Sequence, residues 1–253
     1  MLLTVDVGNT STAMGLWQNG RLLARWRMKT DRGRMAEEYA VFLEDVFRLK
    51  GLPRPQAAAL ASVVPPVEHE LKEAIAALWG IETALLTPEN AGIQIEVDHP
   101  QGVGADRLAN ALAVLELEKA PRYLVVDFGT ATTFDLVAAP DRYLGGAIAP
   151  GPETAAEALA ERAAMLPRFD LVPPPRGVVG KNTKEALQSG LVLGYASLVD
   201  GMIARFREEA GALHVVATGG FSRVLKGLSR EIAEVDPDLT LKGIRRFFEA
   251  RSG

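Results

Sequence analysis

One segment of this chain occurs twice, and that repetition limits the fold more than any other feature. Leu2 to Val7 is an apolar run of strand length ending in Gly8-Asn9-Thr10; Ser11 to Trp17 follows, then Asn19-Gly20, then Arg21 to Met28. An Asn-Gly pair between two such runs is a strong hairpin signal, because both central residues of its turn need positive φ. Moving along by 121 positions, Arg122 to Asp127 is again a strand that ends in an acid, followed by Phe128-Gly129-Thr130-Ala131-Thr132-Thr133. This shift places Asp6 on Asp127, Gly8 on Gly129, Thr12 on Thr133 and Asn19-Gly20 on Pro140-Asp141. Two antiparallel meanders built alike imply a duplicated body.

Between and after the meanders, helical and strand patterns alternate, which indicates a mixed α/β layer structure. Ala36 to Lys50, Val67 to Trp79, a segment from about Asp106, Pro152 to Met165, Thr183 to Ala210 and Gly243 to Arg251 read as helices. Ala57 to Val64, Glu82 to Leu86 and His214 to Thr218 read as strands. The expected lobes are 1–117 and 118–253.

The formal net charge of -4 argues against a nucleic-acid partner, which needs clustered surplus cations. With no cysteine, thiolate chemistry and Cys-ligated zinc are excluded. No uninterrupted apolar run approaches the ~18 residues of a membrane span, and the amino terminus has no basic leader pattern. The expectation is a cytoplasmic protein without a membrane partner.

Three segments carry candidate chemistry. In Asp6-Val7-Gly8-Asn9-Thr10-Ser11-Thr12, successive turn amides can point at phosphate oxygens, and Asp6 can hold Mg²⁺ through water. The plainer alternative is an Asx turn that only caps itself. Asp127 to Thr133 repeats the pattern with more hydroxyls, so a pair of such turns could grip one polyphosphate. In Gly102-Val103-Gly104-Ala105-Asp106-Arg107, a carboxylate at a helix start can accept a proton from an acceptor hydroxyl. Taken alone, Asp106 reads better as a helix cap. Arg107 can fork onto a carboxylate or phosphate. Gly219-Gly220 after a strand would let an adenine or ribose lie on the backbone, though such pairs also make plain turns. Thr183 is either a cap or a substrate contact, and His69, His99 and His214 are assigned nothing.

In this order, Asp6 to Thr10, Gly104 to Arg107, Asp127 to Thr132, Gly145 to Gly151, Asn182-Thr183 with Ser189-Gly190, and Thr218 to Gly220 resemble type III pantothenate kinases. These are bacterial members of the acetate kinase, sugar kinase, Hsp70 and actin superfamily. The resemblance implies two ribonuclease-H-like (actin-like) lobes with mixed sheets flanked by helices. It implies transfer of the γ-phosphate of ATP to pantothenate, with ATP bound between the lobes, as the first step of coenzyme A synthesis. By that resemblance Asp6, Val7, Gly8, Asn9, Thr10, Ser11, Thr12 and Ala13 bind ATP and Mg²⁺. Thr130 contacts ATP, Asp127 holds a monovalent cation (K⁺ or NH₄⁺), and Asp106 is the general base. Gly104, Ala105, Asp106, Arg107 and Thr183 contact pantothenate, Thr183 across a homodimer interface. Within the resemblance Asp106 changes from cap to base. One departure stands out: some family members carry an aromatic residue a few positions before the Gly-Ala-Asp-Arg segment, and here Glu96 to Pro100 has none.

Two other readings remain open on the residues. One is a kinase or phosphatase of the same fold acting on another small metabolite; a panel of acceptors would separate it. The other is a non-catalytic nucleotide-binding regulator, which would bind nucleotide without turnover.

Overall fold

A computed structural model describes residues 1–162 and 169–251. The chain packs as two compact units, one of Met1–Glu116 with the stretch from Asp238 onward, the other of Leu117–Pro237.

In the first unit, β1 (Leu2–Val7), β2 (Ser11–Gln18) and β3 (Arg21–Lys29) form the expected meander. Then come α1 (Ala36–Lys50), β4 (Ala57–Ser62), α2 (Pro65–Trp79), β5 (Thr83–Leu85), a two-residue strand β6 (Gln94–Ile95) and α3 (Ala105–Leu115). The sheet order is β3-β2-β1-β4-β5, with β1–β2–β3 antiparallel and β1, β4 and β5 parallel. α2 begins two residues before the expected Val67, at Pro65-Pro66. Proline fits the first helical turn because its missing N–H has no helical acceptor there.

Side-chain alternation divides the sheet into two faces. Leu3, Val5, Val7, Met14, Leu16, Ala58 and Leu60 pack with Tyr39, Leu43, Phe47, Leu71 and Ile75 of α1 and α2. The other face carries Thr4, Asp6, Gly15, Trp17, Ala59 and Ala61. It is covered by α3 and by α8 (Leu239–Ala250), which packs on α3, β1 and β4. The two helices meet so closely that a Cβ on Gly243 would stand 1.7 Å from the Ala109 carbonyl oxygen. Thr240 Oγ1 donates to Asn110 Oδ1 at 2.9 Å, and Arg245 lies over the Trp17 ring. The carboxyl-terminal helix, expected with 118–253, therefore packs in the first unit; it also begins four residues before Gly243.

The second unit repeats the plan. Its strands β7 (Arg122–Phe128), β8 (Ala131–Ala138), β9 (Arg142–Pro150), β10 (His214–Gly219) and β11 (Glu234–Val235) pair in the order β11-β10-β7-β8-β9. β7–β8–β9 is antiparallel, and β10 and β11 add in parallel. Helix α4 covers Pro152–Arg162; its expected end at Met165 lies outside the described residues. Helices α5 (Thr183–Gln188) and α6 (Gly194–Ala210) join through a π-helical turn, Ser189–Leu193, and a short α7 covers Ser222–Lys226. The joined run, Thr183–Ala210, has a window of mean hydropathy 1.2, long and apolar enough by composition to cross a membrane. It is no uninterrupted apolar run, since Lys184, Glu185 and Asp200 lie within it. Val192, Tyr195, Ala196, Val199 and Ile203 of this run pack on Leu124, Val126, Phe134, Val215 and Ala217, so its apolar stripe is a core face.

The internal repeat is real but not uniform. β3 and β9 correspond at a shift of 121, Arg21–Lys29 with Arg142–Pro150. Across the first turn, Asp6 pairs with Ala13, whereas Asp127 pairs with Thr133. The turn after β7 is one residue shorter, and the next hairpin is one residue longer. Thr12, set on Thr133 by the constant shift, corresponds to Thr132: these two face Met28 and Ala149, themselves 121 apart.

Candidate functional site

Asp6 lies at the end of β1 with Ala13 and Ala61 beside it in the ladder, so small neighbours flank its carboxylate on both sides. The following turn is held by Gly8 N–H donating to the Ser11 carbonyl at 3.2 Å and Thr30 N–H to the Thr10 carbonyl at 3.0 Å. Thr30 Oγ1 spends its only proton on the Gly8 carbonyl at 2.7 Å, so Thr12 Oγ1 is the donor in the 3.0 Å contact between the two hydroxyls. Thr12 is fully buried and Val7 belongs to the core. Of the expected phosphate segment, these two have only backbone groups to offer. Asn9 and Thr10 are exposed at the tip, and Arg32 Nη2 donates to Asn9 Oδ1 at 3.1 Å. Oxygen donors at Asp6 and Thr10 suit a hard cation.

α3 begins at Ala105 with Gly104 as its cap residue, so Asp106 sits inside the first turn and is not the cap. Its Oδ1 accepts from Arg107 N–H at 2.8 Å. A carboxylate is favoured there by the positive end of the helix dipole. The same oxygen would lie 2.5 Å from a Cβ on Gly104, and Val63 Cγ1 would lie 3.5 Å from it.

Gly104 and Val63 both line a cavity of about 280 Å³, together with Ser62, Glu68, Leu85 to Pro88, Gln101 to Val103 and Ala105. Ser62 is the ladder partner of Val7, and Val63 N–H donates to the Val7 carbonyl at 3.1 Å. The cavity therefore lies at the carboxyl ends of the parallel strands β4 and β5, next to the start of α3, and adjoins the end of β1 through Ser62 and Val63. Open α/β sheets bind ligands at such strand ends. Its apolar wall is aliphatic, from Val63, Leu85, Leu86, Pro88 and Val103. Glu68, the one ionisable lining residue, has its carboxyl raised above the usual range, first by burial, with Lys72 and His69 opposing. Sequence reading missed Ser62, Val63, Glu68 and Leu85 to Pro88. The usable signal was the end of a strand parallel to β1.

In the second unit, Asp127 ends β7 between Thr133 of β8 and Thr218 of β10. Asp127 Oδ1 would lie 2.6 Å from a Cβ on Gly219, whose φ is +84°, so only glycine leaves this carboxylate its place. Gly220 N–H donates to the Phe128 carbonyl at 3.0 Å. Thr130, the counterpart of Thr10, accepts through its carbonyl from Gly151 N–H at 3.0 Å and Thr154 Oγ1 at 2.7 Å. Thus Asp127, Thr130, Gly219 and Gly220 gather around one end of this sheet. Thr183 is the first residue of α5, while Asn182 is its cap, accepting from Glu185 N–H at 2.9 Å. Glu185 in turn accepts from Lys181 N–H and Asn182 Nδ2, which lower its pKa, the Lys181 contact most. This locks the loop that presents Thr183. His214 pairs with Glu234, and His69 with Glu73.

A family model described as type III pantothenate kinase matches residues 2–205. A type III pantothenate kinase of Thermus thermophilus is 58% identical over 252 residues, covering 99% of this chain and all of the relative. One from Deinococcus radiodurans is 44% identical, covering 99% of this chain and 97% of that one. Among solved structures, a conserved protein of Campylobacter jejuni assigned to the Baf family of transcriptional activators superposes with a TM-score of 0.63. It is 19% identical, over 99% of this chain and 98% of that one. A ROK family glucokinase from Streptomyces griseus, in complex with glucose and AMPPNP, gives 0.56 at 14% identity, over 99% and 100%. At such identities the likeness is one of fold, the actin-like fold of sugar kinases.

Proposed function

We propose that this chain, which belongs to the type III pantothenate kinase family, transfers the γ-phosphoryl group of ATP to the hydroxyl of pantothenate. The products are 4′-phosphopantothenate and ADP, and the reaction opens coenzyme A biosynthesis. The supporting observation is the cavity at the ends of β4 and β5, whose Ser62 is the ladder partner of Val7 beside the Asp6 turn and whose wall includes Gly104 and Ala105, the residues just before Asp106.

Phosphoryl transfer asks a protein chiefly to position the reactants, neutralise charge and accept the hydroxyl proton. In this reading pantothenate lies against Gly104, Ala105 and Arg107 with its hydroxyl toward Asp106. Asp106 takes the proton as the oxygen attacks phosphorus, and ADP leaves. The Asp6 to Ala13 segment holds the phosphates at its turn, and Asp6 would hold Mg²⁺ through water, an ion that would offset phosphate charge. Thr130, Gly219 and Gly220 serve ATP, Asp127 a monovalent cation (K⁺ or NH₄⁺), and Thr183 pantothenate, in a cytoplasmic homodimer.

A coupled assay of ADP release tests this directly. Turnover should require pantothenate and Mg²⁺ and should rise with K⁺. Turnover on a different acceptor would reassign the substrate, and nucleotide binding with no turnover on any acceptor would make the protein a regulator.

A further inference from the structure

We propose that Thr133 Oγ1 is a second ligand of the cation assigned to Asp127, and that Asp135 is the positioning residue that sets the polarity of that hydroxyl. The inference rests on the reading of Asp127 as the cation residue and extends it to two residues outside that reading.

Asp127 and Thr133 are directly opposed in the β7–β8 ladder, so their side chains leave the same face of the sheet. Opposed Cβ atoms lie ~5 Å apart, near enough for a carboxylate and a hydroxyl to share one ion. Asp135, two residues along β8, is on that face too. It is fully buried, yet it makes specific contacts: Thr133 Oγ1 donates to its Oδ2 at 2.9 Å, and Tyr143 Oη donates to its Oδ1 at 2.7 Å. In both contacts the hydroxyl donates and an Asp135 carboxylate oxygen accepts. Asp135 therefore takes the single proton of Thr133, and the lone pairs of that hydroxyl face away from Asp135. A hydroxyl whose proton is committed in this way serves as an acceptor, which is what a cation requires. With the Asp127 carboxylate it makes an all-oxygen donor set, suited to a hard ion such as K⁺ and poor for a soft one.

The same geometry supplies a substitution of nearly unchanged shape and opposite polarity. In Asp135→Asn, an oxygen still accepts from Tyr143 while the amide group now donates to Thr133. The Thr133 proton is then turned outward, toward the place of the cation. Tyr143→Phe removes the Tyr143 hydroxyl from Asp135 and leaves the Thr133 contact in place. It is the control for a purely structural role.

The test titrates K⁺ against the melting temperature of the whole protein with ADP present, at constant ionic strength held by a bulky quaternary ammonium salt. Asp135→Asn and Thr133→Val should each raise the half-saturating K⁺ concentration by about tenfold or more, as loss of an outer-shell partner does at metal sites. Thr133→Ser should restore wild-type behaviour, and Tyr143→Phe should lower the melting temperature with the K⁺ midpoint unmoved. Wild-type midpoints in Asp135→Asn and Thr133→Val, beside a lost response in Asp127→Asn, would overturn the proposal and leave Asp127 in its role. An unchanged response in Asp127→Asn would remove the cation site itself, and the proposal with it. Thr133→Val decides the matter alone if Asp135→Asn does not fold.

Discussion

Asp106 Oδ1 occupies the space where a Gly104 side chain would begin: a Cβ there would stand 2.5 Å from it. The proposed base is thus held by its helix start on one side, through Arg107 N–H, and by a bare backbone on the other. Gly104→Ala should leave the fold intact, because the atom displaced is the far end of a side chain. The carboxylate must swing aside, and a misplacement of about 1 Å at a reacting group costs on the order of 100-fold. We expect kcat to fall by about that factor with the melting temperature little changed. Unchanged kcat would show that the carboxylate position is unimportant.

Asp106→Asn keeps the shape and removes the proton acceptor. General-base assistance contributes about 10²–10⁴-fold, so kcat should fall within that range while ATP still binds. A variant with near-normal turnover, measured by ADP release, would refute Asp106 as the base.

Burial raises the folded-state pKa of Glu68 above its ordinary value. The sign follows. Below the ordinary carboxylate range Glu68 is protonated in both the folded and unfolded states, and its contribution to stability is fully present. That contribution is lost as pH rises through the raised folded value, because the charged form is then held in a poorly solvated wall. Glu68→Gln should therefore melt higher than the wild type at neutral pH, and the gap should close on acidification. A gap that widens toward low pH would contradict the burial argument.

Gly243→Ala would drive a methyl group into the Ala109 carbonyl at 1.7 Å, and backbone cannot give way as a side chain can. Overpacking of this kind costs about 1–3 kcal/mol, occasionally more. Urea unfolding should show a lower midpoint, with an unfolding free energy reduced by that amount. Because α3 carries Asp106, catalysis should weaken along with stability. A wild-type midpoint would mean that α8 is not held on α3 as described.

Much of the candidate site was legible because its signals are local. A carboxylate at a strand tip followed by glycine and hydroxyls fixes a tight turn within a few residues, and both turns are found where the pattern places them, Gly8 N–H on the Ser11 carbonyl and Gly129 N–H on the Ala131 carbonyl. The cap reading of Asp106 failed for an equally local reason. The helix starts one residue earlier, at Ala105, with Gly104 supplying the cap position. The cavity wall was illegible, since Ser62, Glu68 and Leu86 come from three separate elements, and only the parallel pairing of β1, β4 and β5 brings them together.

By itself, then, the sequence determined the two meanders, the correspondence of Arg21–Lys29 with Arg142–Pro150, and the helices whose apolar spacing is their own. Hydrogen bonding in turns and helices is settled between near neighbours, so it can be read along the chain. Tertiary structure decided which surfaces meet. It placed α8 on α3 and β1, slipped β8 by one residue so that Thr132 takes the place of Thr12, and set Asp135 beneath Thr133. Those outcomes depend on close packing between distant segments, where one missing methyl group or one residue in a turn changes which side chain faces the site.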